Sequence, residues 1–480
     1  MISAQLHAGD EPRLVLAAAT SAPRSVRLEG RRARVSGTVE TSETGWTATI
    51  PLTVSRWGGE VLPVPSGEYS VLVDEDAASL ADASLARLGP LNARIHAGRV
   101  VASAPVDPDR LTSSGQAALE REYVRTREPL TDSVFFESFY GRNASCNPRA
   151  IDAEIARVAP HVVRYWSVVD GSVAVPDGAV PVIEGTPEWW RARGESRLLV
   201  VNDWLRRRYR RRRGQRVLQT WHGTPLKRLA LHRPGFDPRR AVAVVRESRR
   251  WDVLLAQNPY AAGILAKAYA FLRRPVWVEG YPRNDVLTSG DPSPVRRALG
   301  IGDSERVLLY APTWRDDREQ MVDFLDVEQL ARDADAVLLV RGHSRTLIPG
   351  ADTVGARVID VTGYPDIAHL LLIADALITD YSSVMFDFSA TGKPMYFFAP
   401  DLEHYRGELR GFYFDLAERA PGPIVATQEE LTAAVSDAAG PARFADRYAA
   451  WRERFNARDD GRAAERVVAR LIDQGFIARR

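Results

Sequence analysis

A chain of 480 residues with 45% hydrophobic and 26% charged content has the make-up of a soluble globular protein and room for two or three domains. Its formal net charge of +2 excludes a partner chosen by bulk charge, and its single cysteine, Cys146, excludes an intrachain disulfide and a cysteine-rich metal site, as suits a reducing cytoplasm. The first residues lack a basic region followed by an apolar core, and no apolar run approaches the roughly 20 residues of a spanning helix, so a soluble or peripheral protein without a signal peptide is expected.

Residues 1–115 are predicted to be all-β. Short stretches at 13–16, 33–37, 46–50 and 69–73, separated by Gly, Pro, Ser and Asp, have the spacing of a small sandwich. No catalytic constellation lies there, so its expected role is docking, to a partner, a polymer or the rest of an enzyme. A polar, helix-compatible link at 114–127 follows. Then strands and helices alternate: strands at 162–167, 180–184, 198–202, 217–220, 253–256 and 276–279, with helices at 148–159, around Trp189-Trp190 and at 261–272. A linker is expected at 288–294. Beyond it come strands at 307–311, 336–341, 357–361, 376–379 and 394–398, an apolar segment at 367–373, helices around 327–335 and from Ser382, and C-terminal helices from Thr427 onward. Alternation of this kind predicts parallel sheets covered by helices on both faces. Domains are accordingly expected at 1–115, 116–290 and 291–430, with terminal helices at 431–480. Two doubly wound halves place a cleft between two sets of strand ends, where ligands bind.

The most informative stretch is Val217-Leu218-Gln219-Thr220-Trp221-His222-Gly223-Thr224-Pro225-Leu226-Lys227. Val217 to Thr220 reads as a buried strand, which glycine and proline then break into a turn. A histidine there, beside backbone that glycine leaves open, is placed to move a proton, although a packed or capping histidine is the alternative. Downstream, Asp380-Tyr381-Ser382-Ser383 passes from a buried strand into a helix. Free backbone N–H groups, the helix dipole and two hydroxyls make an anion site there, or an ordinary serine N-cap.

Three more loops sit at strand ends facing the same cleft: Tyr281-Pro282-Arg283-Asn284-Asp285, Ala311-Pro312-Thr313-Trp314-Arg315 and Arg341-Gly342-His343-Ser344-Arg345. Each carries an arginine, whose planar fork donates two hydrogen bonds to neighbouring phosphate oxygens. With the serine-rich helix start and two histidines, they point to a diphosphate-containing ligand. Patterns for a P-loop, a serine-hydrolase elbow or a zinc protease are missing. Asp316-Asp317 is the nearest approach to a metal pair and is predicted on an exposed loop, so phosphate chemistry without a metal or other cofactor is expected.

At these residues the chain resembles the CDP-glycerol glycerophosphotransferase family of bacterial teichoic acid glycerol-phosphate transferases and polymerases. The matching motifs are FESFYGRNASCNP, LQTWHGTPLKRL, NPY, GYPRND, LLYAPTWRDD, ITDYSSVMFDF and the run from DLEHYRGELRGFYFDL to PGPIVAT, which together cover residues 134–427. The resemblance implies a GT-B fold, with an acceptor-side and a nucleotide-side Rossmann-like domain and C-terminal helices returning toward the first. It implies transfer of glycerol phosphate from CDP-glycerol to a lipid-linked or polymeric polyol-phosphate acceptor, with release of CMP. His222 would be the general base on the acceptor hydroxyl, and His343 would contact the donor phosphates or the leaving CMP. Donor contacts carry over to Gly223, Thr224, Pro225, Leu226, Arg283, Pro312, Thr313, Arg341, Gly342, Ser382, Ser383 and Asp387. CDP-ribitol is an alternative donor, since diphosphate motifs would look alike.

The arginine-rich run Arg206, Arg207, Arg208, Arg210, Arg211, Arg212 and Arg213 is expected to meet anionic lipid headgroups at the inner face of the cell membrane or the polyanionic product, at about 1 kcal/mol per basic residue near such a surface; a solvated basic helix end is the alternative. A nucleic-acid partner is not expected, because the run is isolated and no nucleic-acid module accompanies it. A non-catalytic polymer-binding protein is the competing class.

Overall fold

The computed structural model of the chain describes residues 2–9, 11–313, 325–342, 357–401 and 411–478. Its N-terminal part is built by strict alternation. In the strand Gly45–Pro51, Trp46, Ala48 and Ile50 are buried while Thr47 and Thr49 face out, the period-two pattern of a half-buried sheet. Leu14 and Leu16 of Arg13–Ala18 stand opposite Ile50 and Ala48. This 4-stranded antiparallel sheet lies over a 7-stranded one, and a shared core of Leu14, Leu16, Trp46, Ile50, Val26, Leu28, Tyr69, Val71 and Ile95 fills the space between them. It is a β-sandwich, as its turn spacing predicts.

The next sheet is parallel throughout its seven strands. Numbered by position in the chain, Thr131–Glu137, Val163–Val168, Val180–Ile183, Ser196–Val201, Arg216–Gln219, Val253–Ala256 and Val276–Val278 stand in the spatial order 3-2-1-4-5-6-7. Strands such as SRLLVV are buried on both faces, so they read as continuous apolar runs rather than alternating ones. The order reverses between the first and fourth strands, which opens a crevice at their C-terminal ends.

The second parallel sheet has six strands in the order 3-2-1-4-5-6, from Val307–Tyr310, Val337–Val340, Val358–Asp360, Ala376–Thr379, Met395–Phe398 and Ile424–Val425. Its reversal falls between Val307–Tyr310 and Ala376–Thr379. The apolar segment 367–373 is the helix Ile367–Ile373. Two terminal helices divide their packing. Trp451 and Phe455 of Ala445–Phe455 enter the core of the second α/β unit, whereas Val467, Val468 and Leu471 of Ala463–Asp473 enter the core of the first. This is the α/β architecture of a GT-B protein preceded by an all-β region.

Element ends differ from expectation in places. The segment 288–294, expected as a linker, holds the end of the helix Val286–Ser289 and the start of Ser293–Ala298; Pro294 occupies a first-turn position, where its missing N–H removes no helical bond. The helix expected at 148–159 begins at Cys146, and the one expected at 261–272 runs over Pro259–Ala268 behind an Asn258 side-chain cap.

Candidate active site

His222 lies beyond the strand Arg216–Gln219, beside the crevice of the first α/β unit. Its Nδ1 is 2.6 Å from the carbonyl oxygen of Asn202, the residue that follows the fourth strand of the sheet. A carbonyl only accepts, so Nδ1 carries the proton and Nε2 is the basic nitrogen of the neutral ring. The imidazole stacks on Trp221 at 4.8 Å between centroids and 20° between planes, and meets Phe139, just beyond the first strand, at 5.6 Å. Residues from both strands that flank the reversal therefore fix this ring.

The backbone around it is strained. Phe139, Tyr140, Cys146 and Trp221 all have positive φ (45°, 59°, 66° and 51°), a conformation costing of order 1–3 kcal/mol each and kept only where the surroundings impose it. The surroundings are buried amides. Gln219 Oε1 accepts from the Trp221 N–H at 2.9 Å, and Asn147 Nδ2 donates to the Trp221 carbonyl at 3.2 Å. Asn202 Oδ1 accepts from the Phe139 N–H at 2.9 Å. Burial holds the His222 pKa below its ordinary value; Asp203 and the Asn202 carbonyl pull it the other way. A neutral imidazole results, which is the form a general base requires.

Gly223 carries the chain against the second α/β unit. A Cβ built on it would lie 2.8 Å from Ser383 Oγ and 3.2 Å from Ser383 Cβ, so any larger residue would have to displace Ser383. Ser382 and Ser383 are partly exposed. The helix after them is the five-residue Val384–Phe388, and Ser383 at its start makes no side-chain cap bond; the ordinary N-cap alternative is not what forms. At the adjacent strand end, both Asp380 oxygens accept from the Thr313 N–H at 2.9 and 3.0 Å, and Pro312 and Thr313 are partly exposed. Lys227 Nζ donates to Thr313 Oγ1 at 3.1 Å, which the sequence did not single out. Arg341 Nη1 donates to the carbonyls of Val361 and Tyr364 at 3.2 and 2.9 Å, and the Gly342 N–H donates to Thr362 Oγ1 at 2.7 Å. Burial lowers the Arg341 pKa to about 10, against the pull of Asp366 and Asp360. His343 lies outside the described residues, as do Trp314, Arg315 and the Asp316-Asp317 pair.

Several residues expected at the donor are buried among protein partners, and Arg283, Asp387 and Leu226 join the two units. Arg283 Nη2 and Asp387 Oδ2 are 2.6 Å apart, with both side chains buried. Asn284 Nδ2 donates to the other Asp387 oxygen at 3.0 Å, and Arg283 Nη1 donates to Cys146 Sγ at 3.2 Å. Burial pushes the Asp387 carboxyl up, while Arg283 pulls it back. Thr224 is wholly buried, donating to Gln257 Oε1 at 2.6 Å and accepting from Asn258 Nδ2 at 3.0 Å. The Pro225 carbonyl accepts from Tyr260 at 3.0 Å, and Leu226 joins the core of the second unit. Arg283, Asp387 and Thr224 share one physical reason: a buried polar side chain is spent on the nearest partner.

A second tie was invisible in the sequence. Asp459, between the two terminal helices, accepts from Gln257 Nε2 at 2.7 Å, Asn456 Nδ2 at 2.8 Å and the Tyr281 N–H at 3.1 Å. Burial raises its pKa to about 6. Tyr281 lies in a strand-end loop the sequence points to, whereas Asp459, Gln257 and Asn456 gave no local signal; Asn258 gave one as a helix cap before proline.

The arginine run is irregular chain, bent at Arg207 (φ 55°) and turning at Arg213, and not a helix end. Arg206 and Arg207 pair with Glu184, Arg211 with Asp252, Arg210 donates to the Val124 carbonyl, and Arg212 donates to that of Gly194 at 2.7 Å. Arg208 and Arg213 are exposed. Among the described residues no helix is long and apolar enough to cross a membrane, and no group of three or more His, Cys, Asp and Glu is placed to hold a metal ion.

Residues 122–473 match the family described as CDP-Glycerol:Poly(glycerophosphate) glycerophosphotransferase. A teichoic acid poly(glycerol phosphate) polymerase of Bacillus subtilis (strain 168) is 36% identical over 358 residues, 70% of this chain and 48% of the relative; the chain thus spans about half that polymerase. A teichoic acid glycerol-phosphate transferase of Staphylococcus aureus is 35% identical over 378 residues, 72% of this chain and 94% of the relative. A ribitol-phosphate primase of Bacillus spizizenii is more distant, at 26% over 291 residues, covering 57% of this chain and 74% of the relative. The solved wall teichoic acid polymerase TagF superposes with a TM-score of 0.70 at 31% identity, covering 76% of this chain and 94% of that one. The family match takes in both parallel sheets and both terminal helices and leaves out the sandwich: the chain belongs to the CDP-glycerol glycerophosphotransferase family.

Proposed function

We propose that the protein transfers glycerol phosphate from CDP-glycerol to a hydroxyl of a lipid-linked or polymeric polyol-phosphate acceptor. The observation that carries this is His222: neutral, protonated on Nδ1 by its bond to Asn202, and followed by Gly223, which packs against Ser383 of the facing unit. The acceptor oxygen attacks the glycerol-bearing phosphorus while Nε2 takes its proton. The P–O bond to the cytidine phosphate breaks as the new one forms, and CMP leaves with the electron pair. Arg341, the N–H groups of the Ser382-Ser383 turn, Thr313 and His343 neutralise the phosphates. Phosphoryl transfer needs little more than such positioning and charge stabilisation.

Higher identity to relatives named for glycerol phosphate than to the ribitol-phosphate primase favours glycerol over ribitol. The test is CMP release from CDP-glycerol and CDP-ribitol, offered separately with a short polyol-phosphate acceptor. His222→Ala is expected to reduce release by about 10²–10⁴-fold while calorimetry still records donor binding. Near-normal turnover in that variant would remove His222 as the base.

The acceptor's chemistry suits work at a membrane surface, on its cytoplasmic side. Phe236 (89% exposed) and Val242 (67% exposed) stand on and beside the helix Pro238–Ser248 with Arg239, Arg246 and Arg249, next to a groove of about 620 Å³ that Tyr209 and Arg211 also line. Apolar tips among arginines fit an anionic interface. Sedimentation with anionic vesicles should fall as salt rises; no binding at low salt would exclude this surface.

A further inference from the structure

One short piece of chain in the N-terminal sandwich touches both α/β units. Its hairpin pairs Thr53–Ser55 with Val61–Pro63, and the turn between them, Arg56-Trp57-Gly58-Gly59-Glu60, is made by two successive positive-φ residues, Trp57 (55°) and Gly58 (66°). The turn tip rests on the second unit. A Cβ on Gly58 would lie 3.2 Å from Ala298 Cβ, and one on Gly363 would lie 3.1 Å from Arg56 Nη2 and 3.6 Å from Trp57 Cζ2. The indole meets the Tyr364 ring edge-on, 5.5 Å between centroids. Three residues past the hairpin, the Ser66 N–H donates at 2.8 Å to Asp170 of the first unit, whose carboxylate is 3% exposed and also accepts from the Ser172 N–H at 3.0 Å. Gly171 lies beneath Pro63 and Pro90, at 3.1 and 3.2 Å from a built Cβ.

The contacted turn in the second unit is not an arbitrary piece of surface. Val361 and Tyr364 supply the two carbonyls that hold the Arg341 guanidinium, and Thr362 accepts from the Gly342 N–H. Tyr364 closes the turn by donating its own N–H to the Val361 carbonyl at 3.0 Å. Trp57 and Arg56 thus press on the segment that orients the Arg341-Gly342 loop, from a domain anchored at Asp170 on the other side of the cleft. Val361 and Tyr364 belong to the core of the second unit, and Trp57 packs against that core where the turn meets the sandwich.

We infer that the sandwich is a brace across the two α/β units and that Trp57 is a positioning residue, seating the 361–364 turn so that Arg341 is held ready for the phosphates of a nucleoside-diphosphate donor. The inference rests on the donor reading given above for the ligand, but its geometry does not. Binding energy supplied by a preordered arginine raises donor affinity in the ground state and the transition state alike, so its loss should appear in KM and Kd and not in kcat.

The experiment uses the full chain with CDP-glycerol. In Trp57→Ala, Kd by calorimetry and KM by CMP release are expected to rise about tenfold, within the ordinary range of coupling between sites, with kcat unchanged; Trp57→Phe, which keeps an edge-on ring, should stay near the parent. Equal donor affinity in Trp57→Ala and the parent would overturn the positioning role. A parent that does not bind CDP-glycerol would instead count against the donor reading. The brace itself is then decided without ligand, by oxidation of the chain carrying Gly58→Cys and Ala298→Cys, whose Cβ atoms would lie 3.2 Å apart, a little closer than the usual disulfide spacing of about 3.5–4.5 Å. Closure of that cross-link in the folded chain supports the brace; thiols that stay free while the chain is folded overturn it.

Discussion

Arg283 and Asp387 form a 2.6 Å ion pair between the first α/β unit and the second, with side chains 5% and 4% exposed. The pair stands within the electrostatic reach of His222, so the contact that fastens the two units also conditions the candidate base. Removing one partner leaves a buried charge unpaired. Arg283→Ala is expected to destabilise the protein by about 3–5 kcal/mol, whereas replacing both partners with apolar residues of similar volume should cost less than either single change. Chemical denaturation of the three variants checks this; equal stability of Arg283→Ala and the parent would mean that the pair is open in solution.

The acid side of the pH–rate profile follows from His222. Burial depresses its pKa, so the limb of kcat/KM at which activity is lost on acidification should lie below the ordinary histidine value of about 6.5. Asp203 is the charge that most opposes the depression, and Asp203→Asn should move the limb further down. The stability term has a definite sign. With the folded pKa below the unfolded one, the unfolded chain binds more protons in the interval between them, so stability rises with pH through that window and is lost as pH falls below about 6.5. A limb above 6.5 would assign it to another group.

Gly223→Ala tests the approach of the two loops. The new methyl would stand 2.8 Å from Ser383 Oγ, and overpacking of this kind costs about 1–3 kcal/mol. Because Ser383 sits on the facing unit, relief by separation of the units is expected, with CMP release falling more than thermal stability. The pair Gly223→Ala with Ser383→Gly, which removes the clashing hydroxyl, should recover part of the loss. Full activity in Gly223→Ala alone would show that the two loops need not touch.

Much of this fold is written in local patterns. The alternation in Gly45–Pro51, the apolar runs in the strands Ser196–Val201 and Ala376–Thr379, and the Gly-Pro break after Gln219 each specify their conformation through nearest neighbours, and strand ends of open α/β sheets are where ligands bind. The helix starts at Cys146 and Pro259 were displaced from expectation by only two residues, because caps act within one turn.

What the sequence by itself determined was the class of each segment, the strand-end placement of His222, Gly223, Thr313, Arg341 and Ser383, and, through its motifs, the family. Periodicity, turn chemistry and residue type act over a few residues and survive without a partner. The tertiary structure alone decided which side chains are available for chemistry. Arginine at a strand end is the same residue whether it meets a phosphate or a buried carboxylate; Arg283 meets Asp387, 104 residues away, and Arg341 meets the carbonyls of a turn on which the sandwich rests. Likewise the tautomer of His222 depends on the Asn202 carbonyl, which reaches it only because the fourth and fifth strands of the first parallel sheet are neighbours. Desolvation and hydrogen-bond partnership are properties of what surrounds a residue in space, and the linear order of the chain does not carry them.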